Sequence, residues 1–178
     1  VLVKGSNYLE ALARASVVVF DKTGTLTRGE FSVTQVKTLA GTEEELLETA
    51  ALAEQFSTHP IARAILMAWG KEPSRDRVED VEELAGHGVQ AKVDGQEVLA
   101  GSRKLLEEHK ISLPDAEEEL PGTAVHVAAE GKYLGYLLVA DQVKEGAAQA
   151  LRDLKKAGVR QCVMLTGDSE SAAQAVAG

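Results

Sequence analysis

The residues best equipped for chemistry are Asp21-Lys22-Thr23-Gly24-Thr25-Leu26-Thr27. They follow Ser16-Val17-Val18-Val19-Phe20, an apolar, β-branched run that reads as a fully buried parallel strand. A carboxylate therefore stands at the C-terminal tip of a strand, the edge at which open α/β sheets bind ligands. Gly24 lets the backbone turn tightly among three threonine hydroxyls. Such a loop can hold a phosphoryl group and make Asp21 a nucleophile toward it. A strand ending in ordinary turn residues is the plainer reading of a bare Asp-x-x-Gly. The seven residues in this order favour the nucleophile.

Three further groups stand out. Thr166-Gly167-Asp168 follows a second apolar strand, 159–165, and precedes a helix expected near Glu170. The N–H groups of that helix could face an anion, or Asp168 could simply cap it. Glu54-Gln55-Phe56-Ser57-Thr58-His59-Pro60 joins two expected helices. A neutral imidazole at His59 can stack on a base or hydrogen-bond its edge, or sit exposed in a helix–loop–helix joint. Gly86-His87-Gly88 is either a turn or a place where the backbone approaches a ligand without a Cβ in the way. His87, between the two glycines, reads as an exposed loop residue and not a ligand.

These motifs together resemble one family. The heptapeptide at Asp21 is similar to the phosphorylation signature of the P-type ATPases, members of the haloacid dehalogenase superfamily. In them the Asp is phosphorylated by ATP and then hydrolysed, and the cycle drives an ion across a membrane. The resemblance implies Mg²⁺ contacts from the Asp21 carboxylate and the Thr23 carbonyl, with Lys22 and Thr25 in the same phosphate loop. It implies that Thr166 and Gly167 hold the transferring phosphoryl, with Asp168 beside them. The His59-Pro60 segment resembles the Ser-Glu-His-Pro motif of the heavy-metal-transporting members, whose His contacts adenine. Here Thr58 stands where Glu is common, and Glu54 matches the family's other adenine-side acid. Gly86 and Gly88 match its Gly-x-Gly, and Gly101 a further pocket glycine. Asp141-Gln142-Val143-Lys144 resembles the Asp-x-x-Lys/Arg at the return into the phosphorylation domain. Lys144 there either supplies positive charge or caps a hinge.

Thr23 separates pump from phosphatase. Phosphatases of this superfamily usually carry a second Asp at that position, as a general acid/base. A Thr hydroxyl is far too weak a base near neutral pH. An aspartyl phosphate at Asp21 should therefore persist, as a coupled pump requires. A small-molecule phosphatase and a non-catalytic nucleotide-binding module remain the rival readings. The resemblance also places a Lys and a Gly-Asp-Gly-x-Asn-Asp loop, which supplies a second Mg²⁺ carboxylate, beyond Gly178. The 178 residues alone are thus expected to be an incomplete catalyst. Membrane and actuator domains would belong to the same full-length chain, and the transported cation is not legible here.

Composition agrees. The chain has 44% hydrophobic residues, enough for a real core, and a net charge of −9 without a basic block, which argues against nucleic-acid binding. Cys162 is the single cysteine, so no disulfide framework forms. No apolar run is long enough to span a bilayer. The expectation is a soluble, cytosolic portion of an integral membrane protein.

The elements that must position these residues are legible in outline. Tyr8 to Arg14 reads as a short helix and Phe31 to Ala40 as extended. Thr42 and Glu45 form a capping box for a helix to about Phe56, and Pro60 opens another ending near Trp69-Gly70. Val78 to Leu84 is β-like. Asp94-Gly95 and Glu130-Gly131 mark two hairpins. Ser102 to His109 and Lys144 to Ala157 read as helices. The expected fold is α/β: a parallel-sheet, haloacid-dehalogenase-like phosphorylation domain, incomplete, formed by 1–31 and 137–178. An α+β nucleotide-binding domain on an antiparallel sheet is inserted at 32–136.

Overall fold

A computed structural model describes residues 5–114 and 120–166. In chain order the elements are α1 (Ser6–Ala13), β1 (Val17–Asp21), β2 (Thr27–Thr38), α2 (Glu43–Glu54), α3 (Pro60–Trp69) and β3 (Val78–Leu84). Then come β4 (Gly88–Val93), β5 (Gln96–Gly101), α4 (Arg103–Glu108), β6 (Thr123–Ala129), β7 (Lys132–Val143), α5 (Ala147–Lys156) and β8 (Gln161–Leu165). They divide into two compact units. One comprises 1–29 with 142–178, the other Glu30–Asp141.

The second unit is a six-stranded sheet in the order β2-β7-β6-β5-β4-β3, antiparallel from β7 through β3. Its strands alternate as half-buried strands should. Val98 and Ala100 face one side with Val125 and Val127, where Leu46, Ala50, Ala53 and Ile65 of α2 and α3 cover them. Leu99 faces the other side and meets Leu105, Leu106 and Ile111. Burying side chains such as Leu46 and Ile65 completely stabilises the fold by roughly 1.5–3 kcal/mol each.

Local chemistry fixes the two helices that matter for the site. Thr42 accepts from the Glu45 N–H at 3.2 Å, while the Glu45 carboxylate accepts from the Thr42 N–H at 2.8 Å, the reciprocal box expected. Helix α2 ends at Glu54. Pro60 occupies the first position of α3, and Gly70 closes it in the left-handed conformation at φ 69°.

In the first unit β1 and β8 pair in parallel, Val17 against Gln161 through Asp21 against Leu165. The expected complete burial of β1 is not met. Val17 and Val19 are 49% and 54% exposed. The two-stranded sheet gives β1 one neighbouring strand, and the alternating burial shows only one of its faces covered among the described residues. Cys162 of β8 is half-buried. The helix expected from Lys144 starts at Ala147, because β7 runs on to Val143 and the Lys144 N–H bonds the Leu26 carbonyl at 2.9 Å. Among the described residues no helix is long and apolar enough to cross a membrane.

Candidate functional site

The loop after β1 is built by its own backbone and one hydroxyl. Asp21 is the last residue of the strand and is exposed. No hydrogen bond or ion pair engages its carboxylate among the described residues. The chain then makes a wide turn over Lys22–Leu26, in which Gly24 takes φ 76° and the Thr27 N–H reaches back to the Lys22 carbonyl. A left-handed residue here is what glycine supplies without strain. The buried Thr27 hydroxyl donates to the Lys22 carbonyl at 3.1 Å and accepts from the Gly24 N–H at 3.2 Å. It thus satisfies both polar ends of the turn. Thr23 and Thr25 are exposed, and the Lys22 side chain is buried.

Lys144 belongs to this loop as well. Its ammonium donates to the Gly24 carbonyl at 2.6 Å. Its backbone N–H holds the Leu26 carbonyl. The parallel register Asp21↔Leu165 puts Thr166 immediately past the tip of the strand beside Asp21. The two strand-tip groups picked from sequence therefore share one sheet edge. Gly167 and Asp168 lie outside the described residues.

A cavity of about 300 Å³ opens in the antiparallel unit. Its walls include Glu54 at the end of α2, His59 before α3, Gly86 in the turn before β4, Gly88 at the start of β4, and Gly101 at the end of β5. All five sequence candidates meet there although they span 48 positions of the chain. Sequence reasoning missed three other polar lining residues, Glu83, Ser102 and Thr123, and nothing in their local pattern marked them. His87 sits in the turn before β4, as expected, but it lines the cavity and is half-buried, not exposed.

The two imidazoles are held differently. The His59 Nδ1 accepts from the Ile61 N–H at 3.2 Å, capping α3. A backbone N–H only donates, so the neutral ring carries its proton on Nε2. Glu54 is 6% exposed at the cavity wall. Burial first, and the negative charge of Glu83 second, push its carboxyl from 4.5 up to about 7.

The glycines serve packing as well as access. Gly88 and Gly101 are register partners across β4 and β5. A Cβ on Gly88, at φ 139°, would collide with the Ala100 carbonyl, and one on Gly101 with the His87 carbonyl. A Cβ on Gly86 would meet nothing within 4 Å.

Comparison with known proteins decides the family. Residues 15–178 match the haloacid dehalogenase-like hydrolases. The chain belongs to that family. Within this hydrolase family it is 53% identical over 177 residues to a cadmium, zinc and cobalt-transporting ATPase of Bacillus subtilis, covering 99% of the chain and 25% of the relative. It is 52% identical over 178 residues to a zinc-transporting ATPase of Synechocystis, covering 99% of the chain and 24% of the relative. A solved zinc-transporting PIB-type ATPase in its E2.Pi state superposes with a TM-score of 0.80 at 36% identity, over 99% of this chain and 30% of that one. The chain spans about a quarter of the length of these ATPases. Its haloacid-dehalogenase-like fold, with parallel β1–β8 and an inserted antiparallel sheet, is the architecture the resemblance implied.

Proposed function

We propose that this chain is the ATP-binding and phosphorylation region of a heavy-metal-transporting P-type ATPase, on the cytosolic side of the membrane. The observation that carries the proposal is the convergence of Glu54, His59, Gly86, Gly88 and Gly101 on one cavity. The near-complete coverage by metal-transporting ATPases supports it.

In this reading the cavity takes the adenosine end of ATP. The His59 Nε2–H donates to a ring nitrogen, and Glu54 lies on the adenine side. Asp21 is the nucleophile. Its carboxylate oxygen attacks the γ-phosphorus, the bond to the β–γ bridging oxygen breaks, and ADP leaves with that electron pair. Water later cleaves the acyl phosphate and releases inorganic phosphate. Thr166 and Gly167 hold the phosphoryl oxygens, with Asp168 beside them, and Lys144 keeps the Lys22–Leu26 turn in shape through Gly24.

Mg²⁺ fits the oxygen donors present. Asp21 offers its carboxylate at the strand tip and Thr23 a carbonyl, and Mg²⁺ characteristically takes one or two carboxylates with phosphate and water. Among the described residues no group of three His, Cys, Asp or Glu side chains could hold it alone. When bound, the ion offsets charge on the phosphoryl oxygens. In the full-length protein, membrane and actuator domains would couple this cycle to movement of a heavy-metal cation. Thr23, at the usual acid/base position of the phosphatases, favours a lasting phosphoenzyme over simple ester hydrolysis.

Two measurements test the proposal. Calorimetric titration of the 178-residue chain with ATP should give saturable binding without Mg²⁺, weakened in His59→Gln. Full-length protein incubated with labelled ATP should form an acid-stable phosphoprotein that Asp21→Asn abolishes. Absence of label in a folded full-length protein would overturn the phosphorylation reading.

A further inference from the structure

The middle residue of Gly86-His87-Gly88 has no role in the account so far, and its ring is fixed. The His87 Nδ1 lies 2.9 Å from the Ala85 carbonyl. A carbonyl only accepts, so Nδ1 carries the proton and Nε2 of the neutral ring keeps its lone pair. This is the opposite tautomer to His59, whose Nδ1 accepts from the Ile61 N–H and whose Nε2 donates. One cavity of about 300 Å³ is therefore lined by one imidazole donor and one imidazole acceptor.

That pair has a chemical complement. Adenine presents an exocyclic amine, a donor, next to a ring nitrogen that accepts, on either of its polar edges. Guanine and hypoxanthine place an oxo acceptor where adenine has the amine. The hydroxyls of Ser102 and Thr123 in the same wall can donate or accept, so they do not discriminate. Glu54 retains its proton through the acid side of neutrality and is then itself a donor. Glu83, also lining the cavity, is exposed.

We infer that His87 is a specificity-determining residue of this cavity, its Nε2 accepting a hydrogen bond from the exocyclic amine of adenine while His59 donates to a ring nitrogen. The inference rests on the reading of the cavity as a nucleotide site and adds how that site tells adenine from 6-oxo purines. The backbone of His87 already anchors the loop, since its carbonyl accepts from the Ser102 N–H at 2.7 Å. Side-chain removal leaves that bond in place.

The test compares ATP with purine riboside triphosphate, which carries hydrogen in place of the amine, and with inosine triphosphate. Affinities are measured by calorimetry on the 178-residue chain. One neutral hydrogen bond corresponds to a factor of about five. The wild type should prefer ATP over purine riboside triphosphate by about that factor, and over inosine triphosphate by more. In His87→Ala the ATP affinity should fall about fivefold, purine riboside triphosphate should bind unchanged, and the preference should vanish. Equal weakening of ATP and purine riboside triphosphate in His87→Ala would make His87 a loop residue only and overturn the inference. So would loss of the preference in Glu54→Gln but not in His87→Ala. Absence of ATP binding in the folded wild type would overturn the nucleotide reading itself, a distinct result. As a second readout, ¹⁵N spectra of the imidazoles should show His87 protonated on Nδ1, with its Nε2 signal shifting on addition of ATP but not of purine riboside triphosphate. A His87 ring protonated on Nε2 in the free chain would also contradict the inference.

Discussion

The Lys144 ammonium donates to the Gly24 carbonyl at 2.6 Å across 120 positions of sequence. The residue just past β7 thus grips the turn that follows Asp21, the proposed nucleophile. Sequence left Lys144 between a source of charge and a hinge cap. In the structure its ammonium bonds a backbone carbonyl, and we propose that its role is to position the turn. Lys144→Met in the full-length protein should slow phosphoenzyme formation on the order of tenfold, because small misplacements of reacting groups are costly. Lys144→Arg should recover most of the rate, and the ATP concentration for half-maximal labelling should not change. Rapid-quench labelling measures both. A change in apparent ATP affinity at unchanged rate would contradict the positioning role.

Thr27 closes the same turn from inside. Its hydroxyl bridges the Lys22 carbonyl and the Gly24 N–H and is completely buried. Thr27→Val keeps the shape but removes both bonds, and should cost about 1–3 kcal/mol of stability. Thr27→Ser, which keeps the hydroxyl, should lose less. Denaturant melts of the two variants distinguish lost hydrogen bonding from lost packing.

Much of this fold is legible in local sequence. The capping box at Thr42 and Glu45, Pro60 at the head of α3 and the Asp94-Gly95 turn each specify their element through neighbouring residues. The heptapeptide pointed to Asp21 as the proposed nucleophile, and the His-Pro segment supplied the cavity's first members. What was not legible depends on distant pairing. The exposure of Val17 and Val19 follows from what packs on the faces of β1, not from its β-branched composition. The extension of β7 to Val143 follows from Lys144 bonding Leu26. His87 looked like a loop residue because its role depends on a cavity wall assembled from four separate segments.

Glu54 makes stability depend on pH. Its carboxyl titrates at about 7 in the folded chain and near 4.5 when unfolded. Between those values the folded state binds more protons than the unfolded state. Stability is therefore highest below about pH 4.5 as far as this group is concerned, and falls as pH rises through 7. The change is on the order of 3 kcal/mol. Glu54→Gln removes it, so the melting temperature of the variant relative to wild type should rise between pH 5 and pH 8. A difference that stays constant over that range would show that the Glu54 carboxyl is not held in its neutral form.

The glycines separate packing from access. Gly88→Ala should destabilise the β4–β5 pair severely, since its Cβ would enter the Ala100 carbonyl. Loss of nucleotide binding in that variant would say little about contact with ligand. Gly86 is the better probe. Its φ of 73° is a conformation Asn tolerates, and its Cβ position is open. Gly86→Asn should melt close to wild type yet bind ATP about fivefold or more weakly, by calorimetry. Unchanged affinity in a normally folded Gly86→Asn would remove this residue from the binding surface.

The central claim is that the cavity beside His59 receives the adenosine end of ATP. The most direct measurement is an amide ¹H–¹⁵N titration of the 178-residue chain with ATP in the absence of Mg²⁺. Saturable shifts are expected at Ser57 through Ile61, Gly86 through Val89, Gly101 and Ser102, and Thr123 through Val125, reduced in His59→Gln. Saturable binding that leaves these four segments unmoved, or no binding by the folded chain, would contradict the claim.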